Sequence, residues 1–439
     1  MNPRRDKGLA VPATRLGRLS RLGALTAGVA GNMAMGGMAQ LGRGERPDWR
    51  GLLMTPMNVT RIADELSKMR GAAMKIGQLV SMDTGDVLPP ELSQIMARLR
   101  DNADFMPPAQ LKKVLAAQWP DGWLKDFSRF DVRPIAAASI GQVHRATLRD
   151  GRELAIKVQY PGVARSIDSD VANVGALIRM SGMLPKGFEL EPYLAEAARQ
   201  LHEETDYVRE AHYLTAFEEL LAGEQEFIVP KVHADWSTHS ILAMDFVISK
   251  PIEEALSENK EQRNSITQKF IRLFLSELFN FRMLQSDPNF ANYRYVPSTG
   301  DIVLLDFGAT REISEDISRF YLNVLKAGLS GERDKLEDLF VSIGILNENT
   351  DFKHRGVVLD LAQMVFDRLR APEFDFADTA FVQSIQSAGE ALVRDGFVPT
   401  AVPMELLYVQ RKLGGMFLLG AKLKARLPLS EMLADYLVD

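Results

Sequence analysis

The chain has 439 residues, of which 46% are hydrophobic and 25% charged, with a net charge of −6 and no cysteine. That is enough apolar material for a large core divided into two or more sub-domains. The missing cysteines exclude disulfides, thiolate metal sites and cysteine nucleophiles, and the acidic balance gives no case for nucleic-acid binding. The six histidines (His144, His202, His212, His233, His239 and His354) form no HxxxH or HExxH pair, which removes a catalytic zinc site.

Residues 1–49 differ in character from the rest. Before Glu45 the one acid, Asp6, stands against Arg4, Arg5, Lys7, Arg15, Arg18, Arg21 and Arg43. From Leu22 to Gly42, "LGALTAGVAGNMAMGGMAQLG" carries no charge and matches the roughly 20 residues that span a bilayer. Gly, Ala and Asn32 weaken its apolar drive. Two readings stay open: a flexible small-residue tail, or a basic-flanked segment that touches or enters a membrane. Gly23, Ala27 and Gly31 form a small-residue ladder suited to close helix pairing, so a homodimer is one expectation.

Residues 50–130 are expected to form a helical unit. Ile62, Leu66, Met69, Ala73, Ile76 and Val80 recur at helical spacing, a second helix follows "LPPEL" at 88–92, and "FMPPAQLKKVLAAQW" reads as a third. A β-rich lobe is expected over 131–248. There "SIGQVHRATLRDGRELAIKVQYPG" places two alternating runs around Asp150-Gly151, a strong hairpin signal. One helical stretch covers 163–220, and short strands follow "EFIVPKVHADW". Residues 249–439 are expected to be mainly helical, with a second hairpin at 293–308, "YRYVPSTGDIVLLDFG".

The chemistry-bearing residues come in a fixed order. Lys157 sits between Ile156 and Val158 on the second strand of the first hairpin, where its strand alternates against an apolar face. It follows the small residues Ala136, Ala137, Ala138 and Ser139, which allow backbone to approach a phosphate that a lysine could then reach as a point charge. Asp306 follows a buried apolar strand in "LLDFG", as a hard-oxygen ligand for Mg²⁺ would. Asp287 precedes Asn292 by five positions in the turn-rich "QSDPNFANY". Lys157, Asp287, Asn292 and Asp306 reproduce the order and nearly the spacing of the protein-kinase signature. "AMDFV" fits the link between lobes, whose backbone would receive adenine near Asp245 and Val247. The expected fold is therefore α+β and bilobal, of the protein-kinase kind. Its departures are specific: Gln285-Ser286-Asp287 replaces HRD, alanines replace the Gly-rich loop, and no APE follows "DFGATREISEDISRF".

Those departures carry a resemblance. Over about residues 50–430 the chain resembles the UbiB family of atypical kinases (the ADCK group), in the branch with a QTDPN-type loop. The resemblance rests on "KIGQ" (75–78), "AAASIGQVHRA" (136–146), "AIKVQYPG" (155–162), "ETD" (204–206), "QSDPNFAN" (285–292) and "LLDFG" (304–308). It implies that Lys157 binds nucleotide phosphates and pairs with the helix carboxylate of Glu204, the ExD glutamate that precedes Asp206, with Glu203 as the neighbouring alternative. It further implies Asp287 as the catalytic-loop acid, and Asn292 and Asp306 as Mg²⁺ ligands. The helix that bears Lys75 and Gln78 would form an N-terminal KxGQ extension packed over the active-site cleft; alone, those two residues would read as a solvated helix face.

The implied function is Mg-dependent use of ATP or ADP in support of ubiquinone (coenzyme Q) biosynthesis, by ATP hydrolysis or by phosphorylation of a small or lipid substrate. Implied partners are a lipid or quinone precursor, an anionic membrane surface and ubiquinone-biosynthetic proteins. The implied location is cytoplasmic and peripheral to an inner membrane, mitochondrial in a eukaryote. The chain stops without the hydrophobic C-terminal helix pair of some bacterial members, which leaves 22–42 as the candidate membrane segment. The alternatives are a catalytically silent nucleotide-binding scaffold and a small-molecule phosphotransferase.

Overall fold

A computed structural model describes residues 105–181, 190–397 and 402–437, Ser139 apart, together with scattered earlier positions that include 69, 71–73 and 75–77. It divides into two compact units. The first runs to His212 and adds Lys231–Phe246; the second comprises Tyr213–Pro230 and everything from Val247 onward.

The first unit is built on an antiparallel sheet. Its strands are β1 (Phe127–Phe130), β2 (Ala136–Ala137), β3 (Gly141–Leu148), β4 (Glu153–Gln159) and, beyond the short β5 (Phe227–Ile228) of the second unit, β6 (Ile241–Asp245). Their order is β1-β3-β4-β6, with β2 also on β3. The expected hairpin is β3–β4, and Gly151 at its turn has φ 94°, a conformation that glycine adopts without a Cβ penalty. The sheet begins at Phe127, inside the stretch expected to be helical.

The strand β4 is buried continuously from Leu154 to Gln159 rather than on alternate residues, because both faces of the sheet are covered. One face is packed by helix α1 (Pro108–Gln118), which starts with proline at its first turn, and by a cluster of Trp119, Trp123, Phe127 and Trp236. Leu154, Ile156 and Val158 point into that cluster. The other face carries α2 (Val163–Ser181), α3 (Glu191–Glu204) and the start of α4 (Tyr207–Leu220). Among the described residues the stretch expected as one helix over 163–220 is three: α2 is described to Ser181, α3 starts at Glu191, and Thr205-Asp206 divides α3 from α4. Met69, Ala73 and Ile76 join this second cluster, so the helical spacing around "KIGQ" serves the core. Truncating a fully buried isoleucine such as Ile76 costs about 2–5 kcal/mol.

In the second unit, β7 (Lys250–Pro251), β9 (Tyr293–Tyr295) and β10 (Ile302–Leu304) form a sheet with β5, in the order β5-β10-β9-β7. A separate ribbon pairs β8 (Met283–Gln285) with β11 (Thr310–Glu312), setting Gln285 opposite Thr310. Helix α5 (Lys260–Leu275) is capped by Asn259, whose side chain accepts from Gln262 N, and runs into a single π turn at Ser276–Asn280. The helices α6 (Glu315–Ser330), α7 (Arg333–Ser342), α8 (Phe352–Leu369), α9 (Thr379–Arg394), α10 (Met404–Leu423) and α11 (Leu429–Leu437) complete the unit. A small ribbon of β12 (Phe374–Asp375) and β13 (Arg426–Leu427) lies among the last of them. Helix α10 packs along α5 and so passes behind the loop after β8.

Candidate active site

In the first unit the period of β4 sends Lys157 to the side opposite Ile156 and Val158. Its Nζ donates to both carboxylate oxygens of Glu210, at 2.6 and 2.9 Å, and lies 5.1 Å from the ring centre of Tyr207. Both acid and ring belong to the first turn of α4. The pair is buried, with 9% of the lysine side chain and 1% of the glutamate exposed. Losing one partner of such a pair costs about 3–5 kcal/mol, because a charge is left behind in the interior.

The small-residue loop is closed by backbone. Ala136 and Ala137 pair with Val143 and Gln142, and Ala138 N donates to Gly141 O at 2.9 Å; Ser139 lies outside the described residues. Asp245 ends β6, and its carboxylate accepts from His233 Nε2 at 2.7 Å. Val247 belongs to the second unit.

In the second unit the structure brings Asp287, Asn292 and Asp306 together. Asn292 Nδ2 donates to the carbonyl and to Oδ2 of Asp287, both at 3.3 Å, so the five-residue spacing closes a loop on itself. Asn292 O accepts from Leu305 N at 3.0 Å, which ties that loop to the strand before Asp306. Asp306 Oδ1 accepts from Gly308 N at 3.0 Å, and its carbonyl accepts from Gln285 Nε2 at 3.1 Å. Arg411 of α10 donates to Asp287 Oδ1 at 3.0 Å, with 5% of its side chain exposed. The donor set of a carboxylate and a side-chain carbonyl suits Mg²⁺, which prefers hard oxygens and takes several from phosphate and water. Among the described residues no group of three or more histidine or acidic side chains is placed to hold a metal ion.

Residues 98–340 match the model of the ABC1 atypical kinase-like domain. The Saccharomyces cerevisiae protein named "Atypical kinase COQ8, mitochondrial" is 36% identical over 98% of this chain and 86% of its own length. The chain belongs to the ABC1 atypical kinase-like family. Danio rerio "Atypical kinase COQ8B, mitochondrial" is 37% identical over 98% of this chain and 70% of its own. Among solved structures, Rv3197 of Mycobacterium tuberculosis, described in complex with erythromycin, covers 87% of this chain and 96% of its own with a TM-score of 0.62 at 22% identity, a likeness of fold.

Within this ABC1-family chain one expected partnership is corrected. Glu204 does not supply the carboxylate pair seen on Lys157; it forms an ion pair with Lys75. The reason is where the helices break. Helix α3 stops at Glu204, Thr205 turns the chain, and Asp206 caps α4 by accepting from Val208 N and Arg209 N at 3.1 and 3.0 Å. The acid that faces β4 is then Glu210, in the new helix's first turn. Lys75 is 4% exposed, so it is an interior residue rather than part of a solvated face. Gln78 lies outside the described residues, as do Gly23 and Ala27. Gly31 is described, and a Cβ there would meet nothing within 4 Å. No described helix is long and apolar enough to cross a membrane.

Glu210, Arg411, Lys412 and Glu277 were not singled out from sequence. The signal for two of them was present: "RKLGG" (411–415) sets two cations inside the otherwise apolar run of α10. A methyl group at Gly415 would overlap Pro288, so the helix meets the Asp-Pro turn through a bare backbone.

Proposed function

We propose that the chain is an Mg-nucleotide-dependent phosphotransferase or ATPase that supports ubiquinone biosynthesis, acting on a small or lipid substrate rather than on proteins in trans. The observation that carries this reading is the buried Lys157–Glu210 pair, a strand lysine held by a helix glutamate, which protein kinases use to grip the nucleotide phosphates. Lys157 binds phosphate oxygens while Glu210 holds its ammonium in place. Asn292 and Asp306 offer their side-chain oxygens to Mg²⁺, and Asp287 orients the acceptor's O–H, its carboxylate held by Arg411 and Asn292. When bound, the metal supplies neutralisation of charge on the phosphate oxygens. The backbone at Ala136–Ala138 is our candidate for approach to the phosphates, and that at Asp245 for the base. Lys75, through Glu204, fastens the KIGQ segment to the end of α3. The names of the relatives support a mitochondrial-type setting, and we place the chain peripherally on an inner membrane with an anionic surface and quinone-biosynthetic proteins as partners.

The test is ATP turnover by the purified chain with and without Mg²⁺ and anionic vesicles, beside Asp306→Asn and Lys157→Met. Turnover lost in both variants supports the reading; turnover unchanged in Asp306→Asn removes the metal-ligand role. Quinone content restored in a deletion strain by the wild-type chain and not by Asp306→Asn would connect the site to the pathway. A second reading, a nucleotide-binding scaffold, draws on the Arg411 guanidinium bound to Asp287. It requires nucleotide-dependent thermal stabilisation with no turnover that depends on Asp287.

A further inference from the structure

Beneath the loop that bears Asp287 lies a sealed polar network that phosphoryl transfer does not itself call upon. Lys412 of α10 and Glu277 of the π turn each expose 1% of their side chains and meet at 3.0 Å. Lys412 Nζ also donates to the Gln285 carbonyl at 3.0 Å, to Gln285 Oε1 at 3.3 Å and to Tyr293 OH at 3.2 Å. Tyr293 OH donates to Gln285 Oε1 at 2.8 Å. The remaining end of that amide, Nε2, donates to the Asp306 carbonyl at 3.1 Å.

The network dictates which way the Gln285 amide points. Two donors, an ammonium and a hydroxyl, converge on one end, so that end has to be the oxygen. Turned over, the amide would set its N–H₂ against both donors and its oxygen against a carbonyl. The N–H₂ end is then the one that faces Asp306, whose carbonyl it meets at 3.1 Å. Gln285 stands where protein kinases carry the histidine of HRD, and its side chain here spans the two segments that hold Asp287 and Asp306.

We infer that Gln285 is a positioning residue that sets Asp306 relative to the Asp287 loop, and that Lys412, Glu277 and Tyr293 hold its amide in the one orientation that does so. The inference rests on the reading of Asp306 as an Mg²⁺ ligand. Mg²⁺ demands near-octahedral geometry, so a small displacement of Asp306 is felt in metal affinity before it is felt in the fold.

The experiment measures the Mg²⁺ concentration at which ADP half-maximally raises the melting temperature, together with the melting temperature without ligand. Gln285→Glu combined with Glu277→Gln moves the carboxylate to position 285, keeps one negative charge for Lys412 and keeps an acceptor for Tyr293. It replaces the donor to the Asp306 carbonyl by an acceptor, so that the contact turns from attractive to repulsive. The expected result is a ligand-free melting temperature close to wild type and an Mg²⁺ midpoint raised about tenfold. Gln285→His, with one ring nitrogen to accept and one to donate, is expected within about threefold of wild type. A folded double variant with the wild-type midpoint overturns the inference. If the double variant does not fold, Gln285→Met against Gln285→His makes the same comparison, and equal midpoints overturn it. Should Mg²⁺ leave ADP stabilisation of the wild type unchanged, the metal reading falls and takes the inference with it. Should Asp306→Asn differ from wild type while the double variant does not, the inference alone falls.

Discussion

Each unit buries a lysine against a glutamate and a tyrosine ring, and the two trios are built for different ends. In the first, Lys157 on a strand faces Glu210 and lies 5.1 Å from the Tyr207 ring. In the second, Lys412 on a helix faces Glu277 and lies 5.5 Å from the Tyr293 ring. Lys412 spends its remaining hydrogen bonds on the backbone and side chain of Gln285 and on the Tyr293 hydroxyl, and only 1% of its side chain reaches solvent. Lys157 keeps 9% of its side chain accessible, on the second strand after the alanine loop. A cation meant to meet a ligand needs that opening, whereas one meant to brace a loop is best sealed. Burial acts against the Lys412 charge, yet Glu277 and Tyr293 more than offset it and hold the ammonium above the ordinary lysine value; burial in turn pushes the Tyr293 phenol up to about 12.

Removing each lysine in turn tests this contrast most severely. Lys412→Met strands the Glu277 carboxylate in the interior and is expected to cost about 3–5 kcal/mol in urea unfolding. Adding Glu277→Leu should return most of that, because exchanging a buried pair for apolar side chains is close to neutral. Lys157→Met strands the Glu210 carboxylate, which is 1% exposed, in the same way, and should likewise cost about 3–5 kcal/mol while abolishing stabilisation by nucleotide. Nucleotide stabilisation retained in Lys157→Met would erase the distinction between a gripping lysine and a bracing one.

A smaller perturbation sharpens the bracing half. Gly415→Ala places a methyl group against Pro288 with no flexible neighbour to give way. About 1–3 kcal/mol of overpacking is expected, together with a fall in turnover larger than the stability loss explains, since Pro288 follows Asp287 directly. Unfolding and turnover measured on the same preparation check both, and an alanine variant with full turnover would detach α10 from the Asp287 loop.

The sequence disclosed the candidate residues of the two units unequally, for physical reasons. Asp287, Asn292 and Asp306 were legible because turn chemistry and a strand end announce them locally, and the Asp150-Gly151 hairpin was legible because glycine alone takes its φ of 94° readily. Glu210 was hidden by a helix break of two residues, Thr205-Asp206, in a stretch whose periodicity reads as continuous. Glu204 and Glu210 are equally acidic in the sequence; only the break decides which one faces β4. Lys412 and Arg411 were hidden because their partners lie more than a hundred positions away, and no local rule pairs α10 with the loop after β8. The burial of Lys75 was likewise a tertiary property, set by Glu204 across the fold.

The finest separation of the two networks comes from acid. The first unit holds His144, fully buried, with Nδ1 2.8 Å from the Asp131 carbonyl and Nε2 2.8 Å from Gln142 Nε2. A carbonyl can only accept, so Nδ1 carries the proton and Nε2 accepts from the amide, whose own oxygen accepts from Met106 N at 2.8 Å. A second proton on the ring would face an N–H₂ donor. Burial pushes the His144 pKa below its ordinary 6.5, with the Asp131 carbonyl only partly countering it. The folded chain therefore binds this proton less readily than the unfolded chain. Its contribution to stability is complete above about pH 6.5 and declines as the pH falls below that value, with a slope of at most about 1.4 kcal/mol per pH unit. Burial raises the Glu277 pKa above its ordinary 4.5, a trend of opposite sign that is common to the wild type and to His144→Gln and so cancels in their difference. Urea unfolding followed from about pH 7.5 to about pH 5.5 should show the decline in the wild type and a flatter profile in His144→Gln. A decline of equal steepness in both would move the acid sensitivity away from the first unit's network and onto other titrating groups.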